Sequence, residues 1–148
     1  MIALIQRVSQ ASVTIEDTVV GEINSGLLAL IGIEKSDSEQ TADKLLNKML
    51  AYRVFADEAG RMNHCLADIN GGLLLVPQFT LVADTQKGNR PGFSNGAPPE
   101  QGTQLFSHLV EQAGQRHGPL ASGVFGADMQ VALINDGPVT FWLQASGP

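Results

Sequence analysis

Gln78, Phe79 and Thr80 set a carboxamide and a hydroxyl into a stretch, Leu73 to Val82, that is otherwise almost wholly apolar. Polar groups in such surroundings need hydrogen-bond partners. On a strand Gln78 and Thr80 would point to one face at period two; there they either bond to neighbours or meet a ligand. A second polar segment, Asn135-Asp136-Gly137-Pro138-Val139-Thr140, separates two alternating apolar runs and reads as a turn. A Gly-Pro peptide reaches the cis form at modest cost, which would fix both neighbouring carbonyls in an unusual direction.

The other reactive side chains give weaker leads. His64 and Cys65 are adjacent, and on an extended chain adjacent side chains point to opposite sides, which argues against a thiolate pair. His108 fits the solvated face of a helix, and His117 follows that helix, where a cation complements the dipole. Neither Cys65 nor the three histidines fall into a metal-ligand spacing, so no metal and no cofactor is expected. There is no P-loop and no G-x-G-x-x-G.

The segments that must position these residues begin with β-structure. Ile2 to Val8 reads as a strand, Ser12 to Ile15 and Val19 to Ile23 as a hairpin around Glu16-Asp17, and Leu27 to Ile33 as a buried strand. Ser36 and Glu39 match a capping box, and Ala42, Leu45, Leu46, Met49 and Leu50 then repeat at helical spacing. Tyr52 to Phe55 and Arg61 to Asn63 flank a turn; Gly72 to Val76 and Gln78 to Val82 read as one buried strand bent or bulged at Pro77. The Gly/Pro/Asn-rich run from Lys87 to Pro99 is a long surface loop. From about Pro99 to Gln115 a helix turns Leu105, Phe106, Leu109, Val110 and Ala113 inward and Gln104, His108, Glu111 and Gln115 outward. Strands with Met129, Val131 and Leu133, then Val139, Phe141 and Leu143, close the chain. Strands surrounding two helices predict an α+β fold.

With 148 residues and 43% apolar composition the chain is expected to form a single domain, 1–148, with a real core. No run approaches the roughly 18 to 20 apolar residues of a membrane span, and MIALIQRV lacks the marks of a signal peptide. A soluble, intracellular protein is expected. A net charge of −6 and a pI near 4.8 oppose non-specific attraction to phosphates. A protein gripping only the end of a single strand meets few phosphates, however, and Lys87 and Arg90 form a small basic patch.

At Gln78-Phe79-Thr80 and Gly137-Pro138 the chain resembles the D-aminoacyl-tRNA deacylase family, and the similarity runs nearly its full length. Gln6-Arg7-Val8 with Ala11-Ser12-Val13, Lys48 to Asp57, Arg61-Met62-Asn63, Ala83-Asp84-Thr85, Arg90-Pro91, Ala97-Pro98-Pro99 and Phe125 to Met129 carry it by their order and spacing. The resemblance implies a mixed or antiparallel, barrel-like sheet packed with two main amphipathic helices. It implies a cytoplasmic homodimer acting on aminoacylated tRNA at the 3′-terminal adenosine, with no role on DNA or in a membrane. Gly137-Pro138 of one subunit would reach the site of the other beside Gln78 to Thr80, accept hydrogen bonds from the substrate ammonium and leave no room for an L side chain. D residues of many sizes, and glycine, would pass. Arg7 resembles the arginine that braces this loop, with Met129 and Asn135 in support.

For ester hydrolysis, backbone N–H groups near Phe79 and Thr80 are the candidate oxyanion donors. No histidine or carboxylate is placed by sequence to activate Thr80, so the preferred attacker is water, assisted by the neighbouring ribose 2′-hydroxyl. Two departures stand out: Pro77 replaces a serine common in the family, and Asn89 and Gly92 replace a basic residue and a serine in the basic loop. Two rivals follow: a non-catalytic dimeric module binding an RNA 3′ end, and a hydrolase of small amino-acid esters or D-amino-acid amides, which the acidic charge favours.

Overall fold

The first strand shows how the chain builds two cores from one sheet. A computed structural model describes residues 1–147, and in it β1 (Ile2–Ile15) is a single unbroken strand where two were expected. Its residues 2–8 pair antiparallel with β3 (Gly26–Gly32), and its residues 11–15 with β2 (Thr18–Ile23). Glu16 and Asp17 both take left-handed angles, the twisted two-residue turn that suits a hairpin. β6 (Gly72–Pro77) adds parallel to β3, and β7 (Leu120–Ser122) parallel to β6. β2 closes back toward β7: a Cβ on Gly21 would stand 3.1 Å from the Ser122 carbonyl oxygen. The result is a mixed, barrel-like sheet, as the resemblance implied.

Alternation sends Ala3, Ile5, Leu27, Ala29, Ile31, Leu73 and Leu75 to the outside of the barrel, against helices α1 (Glu39–Ala51) and α3 (Pro99–Arg116). Val8, Val13, Leu28, Leu74 and Val76 fill its inside. Each fully buried leucine or isoleucine stabilises the fold by about 1.5–3 kcal/mol. β3 and β6 cross closely at Gly26 and Gly72, where a Cβ on Gly26 would lie 1.9 Å from the Gly72 oxygen. Only glycine fits.

Several expectations are corrected by the structure. Helix α1 is capped by Ser38, not Ser36: Ser38 Oγ accepts from the Thr41 amide at 3.3 Å and Thr41 Oγ1 accepts from the Ser38 amide at 3.1 Å, so a hydroxyl closes the box where Glu39 was expected to. The expected strand from Tyr52 shrinks to β4 (Phe55–Ala56), paired with β5 (Met62–His64), because Tyr52 still caps α1. A short α2 (Leu66–Ile69) follows. His108 is not solvated: it lies between the helices, half-buried, with Nε2 2.8 Å from Asp43 Oδ1. His117 Nε2 contacts the Gly71 carbonyl oxygen at 2.7 Å.

The largest correction concerns the end of the chain. β8 (Gln130–Gln144) is one strand, not two strands joined by a reversal. Both halves run antiparallel to β1, with Val8 opposite Asn135 and Gln6 opposite Thr140, so the residues between them bulge out of a strand that keeps its direction. No helix among the described residues is long and apolar enough to cross a membrane.

Candidate functional site

Pro77 ends strand β6 rather than bending its middle. The Gln78 amide still donates to Ile31 O at 2.7 Å, so the Pro77 nitrogen faces the β7 side, where Gly123 N donates to Leu75 O at 2.8 Å. Proline offers no N–H to carry this parallel ladder further, and the pairing with β7 stops at Ser122. The chain then turns into a 3₁₀ helix over Phe79–Val82, where Leu81 N donates to Gln78 O at 3.2 Å. The expected second half of a buried strand is thus a tight, exposed turn: Thr80 and Phe79 are exposed, and the Gln78 carboxamide donates to the Thr80 hydroxyl.

This turn borders a cleft of about 510 Å³ whose walls include Pro77, Gln78, Phe79, Phe125, Asp128 and Met129. That size suits a small ligand. A Cβ on Gly123 would press Met129 Sδ at 2.7 Å, so glycine there lets Met129 lie against the Pro77 side. The amides of Phe79 and Thr80 donate to no backbone carbonyl among the described residues, which is the expected state of the first N–H groups of a helical turn. None of the three histidines reaches the cleft: His64 pairs with Asp68, His108 with Asp43 and His117 with Gly71. Asp57 and Asp68, whose carboxyls are held below their ordinary value, also lie elsewhere; Asn63 and the Arg61 amide do this to Asp57, and Cys65 to Asp68. Among the described residues no group of three or more His, Cys, Asp or Glu side chains is poised to hold a metal.

A second cluster forms around the β8 bulge. Arg7 Nε donates to Asp136 O at 3.0 Å and Arg7 Nη1 to Val54 O at 2.8 Å, clamping the bulge to the base of β4. Asn135 closes it from inside: its Oδ1 accepts from Val139 N at 3.0 Å and its Nδ2 donates to Thr140 Oγ1 at 2.9 Å. Gly137 has φ of +132°, and the Gly137–Pro138 peptide is cis; both residues are exposed. Neither lines the cleft of their own chain. Of the residues singled out in the sequence, the structure therefore assembles two groups: Gln78, Phe79 and Met129, with Thr80 following, and Arg7, Asn135, Gly137 and Pro138. Lys87 and Arg90 are exposed and do not line the cleft.

Sequence reasoning overlooked Phe93, whose ring lies 5.3 Å from that of Phe79. Its signal was available: an aromatic residue in a loop of glycine, proline and asparagine. The carbonyl of Val54, which anchors Arg7, carried none.

A model of the family described as D-Tyr-tRNA(Tyr) deacylase matches residues 4–144. A D-aminoacyl-tRNA deacylase of Pseudomonas fluorescens is 59% identical over 144 residues, 97% of this chain and 99% of that protein. A solved structure named c-Myc DNA unwinding element binding protein is 37% identical, with TM-score 0.94 over 99% of this chain and 100% of that one. A structure described as "a probable eukaryotic D-amino acid tRNA deacylase" is 14% identical with TM-score 0.80, over 96% of this chain and 97% of that one, and shares the fold. Fold and relatives together define an α+β hydrolase. The chain belongs to the D-Tyr-tRNA(Tyr) deacylase family.

Proposed function

We propose that this protein hydrolyses the ester that joins a D-amino acid to the 3′-terminal adenosine of tRNA, sparing the L form and admitting mischarged glycine. The observation that carries the reading is the family match over residues 4–144, which includes both Gln78 to Thr80 and Gly137-Pro138. Two copies form a homodimer in the cytoplasm, each a single domain over 1–148, and Gly137-Pro138 of one enters the cleft of the other. The exposure of that bulge and its double clamp by Arg7 and Asn135 support this role, since a recognition element must be both accessible and rigid. So does the apolar exposure flanking it on β8, where Ile134 and Trp142 are each 52% exposed. Main-chain carbonyls of the bulge accept from the substrate ammonium and crowd the position of an L side chain; glycine offers nothing to reject.

In the reaction, water attacks the acyl carbon while the ribose 2′-hydroxyl assists. The carbonyl oxygen gains negative charge, which the Phe79 and Thr80 amides receive, and the bond from acyl carbon to ribose O3′ breaks as that oxygen takes a proton. Thr80 positions the substrate. Lys87 and Arg90 meet the few phosphates near the 3′ end. The test is paired deacylation of D-Tyr-tRNA and L-Tyr-tRNA against spontaneous loss without enzyme: release of the D form with the L form spared is expected. Binding without release of either would leave a non-catalytic module. The net charge of −6 favours one other reading, a hydrolase of small D-amino-acid esters; competition by D-aminoacyl-adenosine as strong as by whole tRNA would bring it forward.

A further inference from the structure

The 84–96 loop is pinned at both ends and free at its tip. Asp84 and Gly92 exchange two backbone hydrogen bonds of 2.7 and 2.9 Å, and beyond them Lys35 N donates to Asn95 O at 3.1 Å and Ala97 N to Ile33 O at 3.0 Å. Phe93 sits between these two anchors, while Lys87 and Arg90 stand on the exposed tip. From this fixed base Phe93 lays its ring against Phe79, tilted by 51° at a centroid distance of 5.3 Å. Phe79 is 63% exposed and Phe93 43%, so the pair is not part of the buried core.

Few other contacts hold Phe79. The 3₁₀ turn is tied to the sheet through Gln78 N and Ile31 O, one residue earlier, and closed by Leu81 N and Ala83 N. A single turn of this kind is weakly self-supporting. The Phe79 ring borders the cleft on one side and, with Phe93, a small apolar hollow of about 80 Å³ over Ile31, Val82 and Phe125 on the other. The far end of the turn is held by Val82, buried beside Gly32, whereas at its near end the exposed Phe79 ring has Phe93 as its aromatic partner on a pinned base.

We infer that Phe93 is a positioning residue, joining the loop that carries Lys87 and Arg90 to the Phe79–Thr80 backbone through ring contact. This rests on the deacylase reading above. The same loop that offers Lys87 and Arg90 to the 3′ strand thus holds the oxyanion donors in place before RNA arrives.

The experiment compares wild type with Phe93→Ala, Phe93→Leu and Phe93→Tyr in two independent readouts. In kinetics with D-Tyr-tRNA, Phe93→Ala lowers kcat tenfold or more, on the order expected when oxyanion donors lose their fixed geometry, with KM within about twofold. Phe93→Tyr restores kcat and Phe93→Leu does not. In ¹⁵N relaxation of the free protein, the Phe79 and Thr80 amides fall from the rigid order parameter of about 0.85 toward 0.6 in Phe93→Ala and recover in Phe93→Tyr. Unchanged kcat with a raised KM would mean that the ring stacks on the RNA itself and would overturn the inference, as would unchanged order parameters. If wild type proves inactive on D-Tyr-tRNA, the deacylase reading fails, and the relaxation measurement still decides the role of Phe93.

Discussion

Thr80 is a nucleophile by residue type and a poor one by its surroundings. Its hydroxyl accepts from the Gln78 carboxamide, a neutral donor that does nothing to remove its proton, and every histidine is engaged elsewhere. Loss of a true nucleophile costs on the order of a millionfold in kcat. Thr80→Ala should instead retain kcat within about tenfold, because the attacking water and the main-chain donors remain. Single-turnover deacylation of D-Tyr-tRNA decides between these magnitudes; a drop of the larger kind with unchanged binding would return Thr80 to the covalent role. Pro77 teaches the opposite lesson at this scale. Its replacement of a hydroxyl residue looks disruptive in the sequence, yet it stands where β6 ends and the pairing with β7 stops, so its missing N–H costs the sheet no more than a terminal bond.

Elements were legible where periodicity ran long enough to name a face. The inward stripe of α3 and the continuous apolar runs of β3 and β6 read directly from residue type, because one face of the helix and both faces of these strands are buried. The Gln78 to Val82 turn did not, since five residues of mixed polarity are equally consistent with strand or 3₁₀ turn until Ile31 ends its pairing. The β8 bulge failed for a different reason. Asn135-Asp136-Gly137-Pro138 carries every residue preference of a reversal, and only the register against β1 shows that direction is kept. The candidate site was therefore visible as residues and not as shapes. Polar anchoring of a short element also makes it sensitive to acid, as in the β4–β5 hairpin. There Asp57 accepts from Asn63 Nδ2 at 2.7 Å and from the Arg61 and Ala59 amides at 2.9 Å, which lowers its pKa from 3.8. A carboxyl with a depressed folded pKa contributes stability above its unfolded value and loses it as pH falls through the folded value. Protection of the Ala59 and Arg61 amides from hydrogen exchange should thus hold above pH 3.8 and fall below it. In Asp57→Asn the same amides should show no such acid step.

At the scale of the molecule, the question is whether one chain contains a whole site. Its cleft and its Gly137-Pro138 bulge are separate surfaces, which a symmetric pair would bring together twice. That arrangement makes a strict prediction about mixtures. Gly137→Ala should disable the bulge, since its φ of +132° disfavours any side chain and the new Cβ would meet Val139 Cγ2 at 2.7 Å and Arg7 Nη2 at 3.0 Å. A double change in the cleft turn, Gln78→Ala with Phe79→Pro, should disable the other half by removing the carboxamide and one amide donor. Each variant alone forms dimers with no competent site. Mixed and allowed to exchange subunits, half the dimers are hybrid, and each hybrid has one site that draws a sound cleft from one chain and a sound bulge from the other. Activity should return to about a quarter of wild type, with a mass by light scattering of twice 15.7 kDa. A mixture that stays inactive while the hybrid dimer is shown to form by mass spectrometry would mean that each site is built within a single chain.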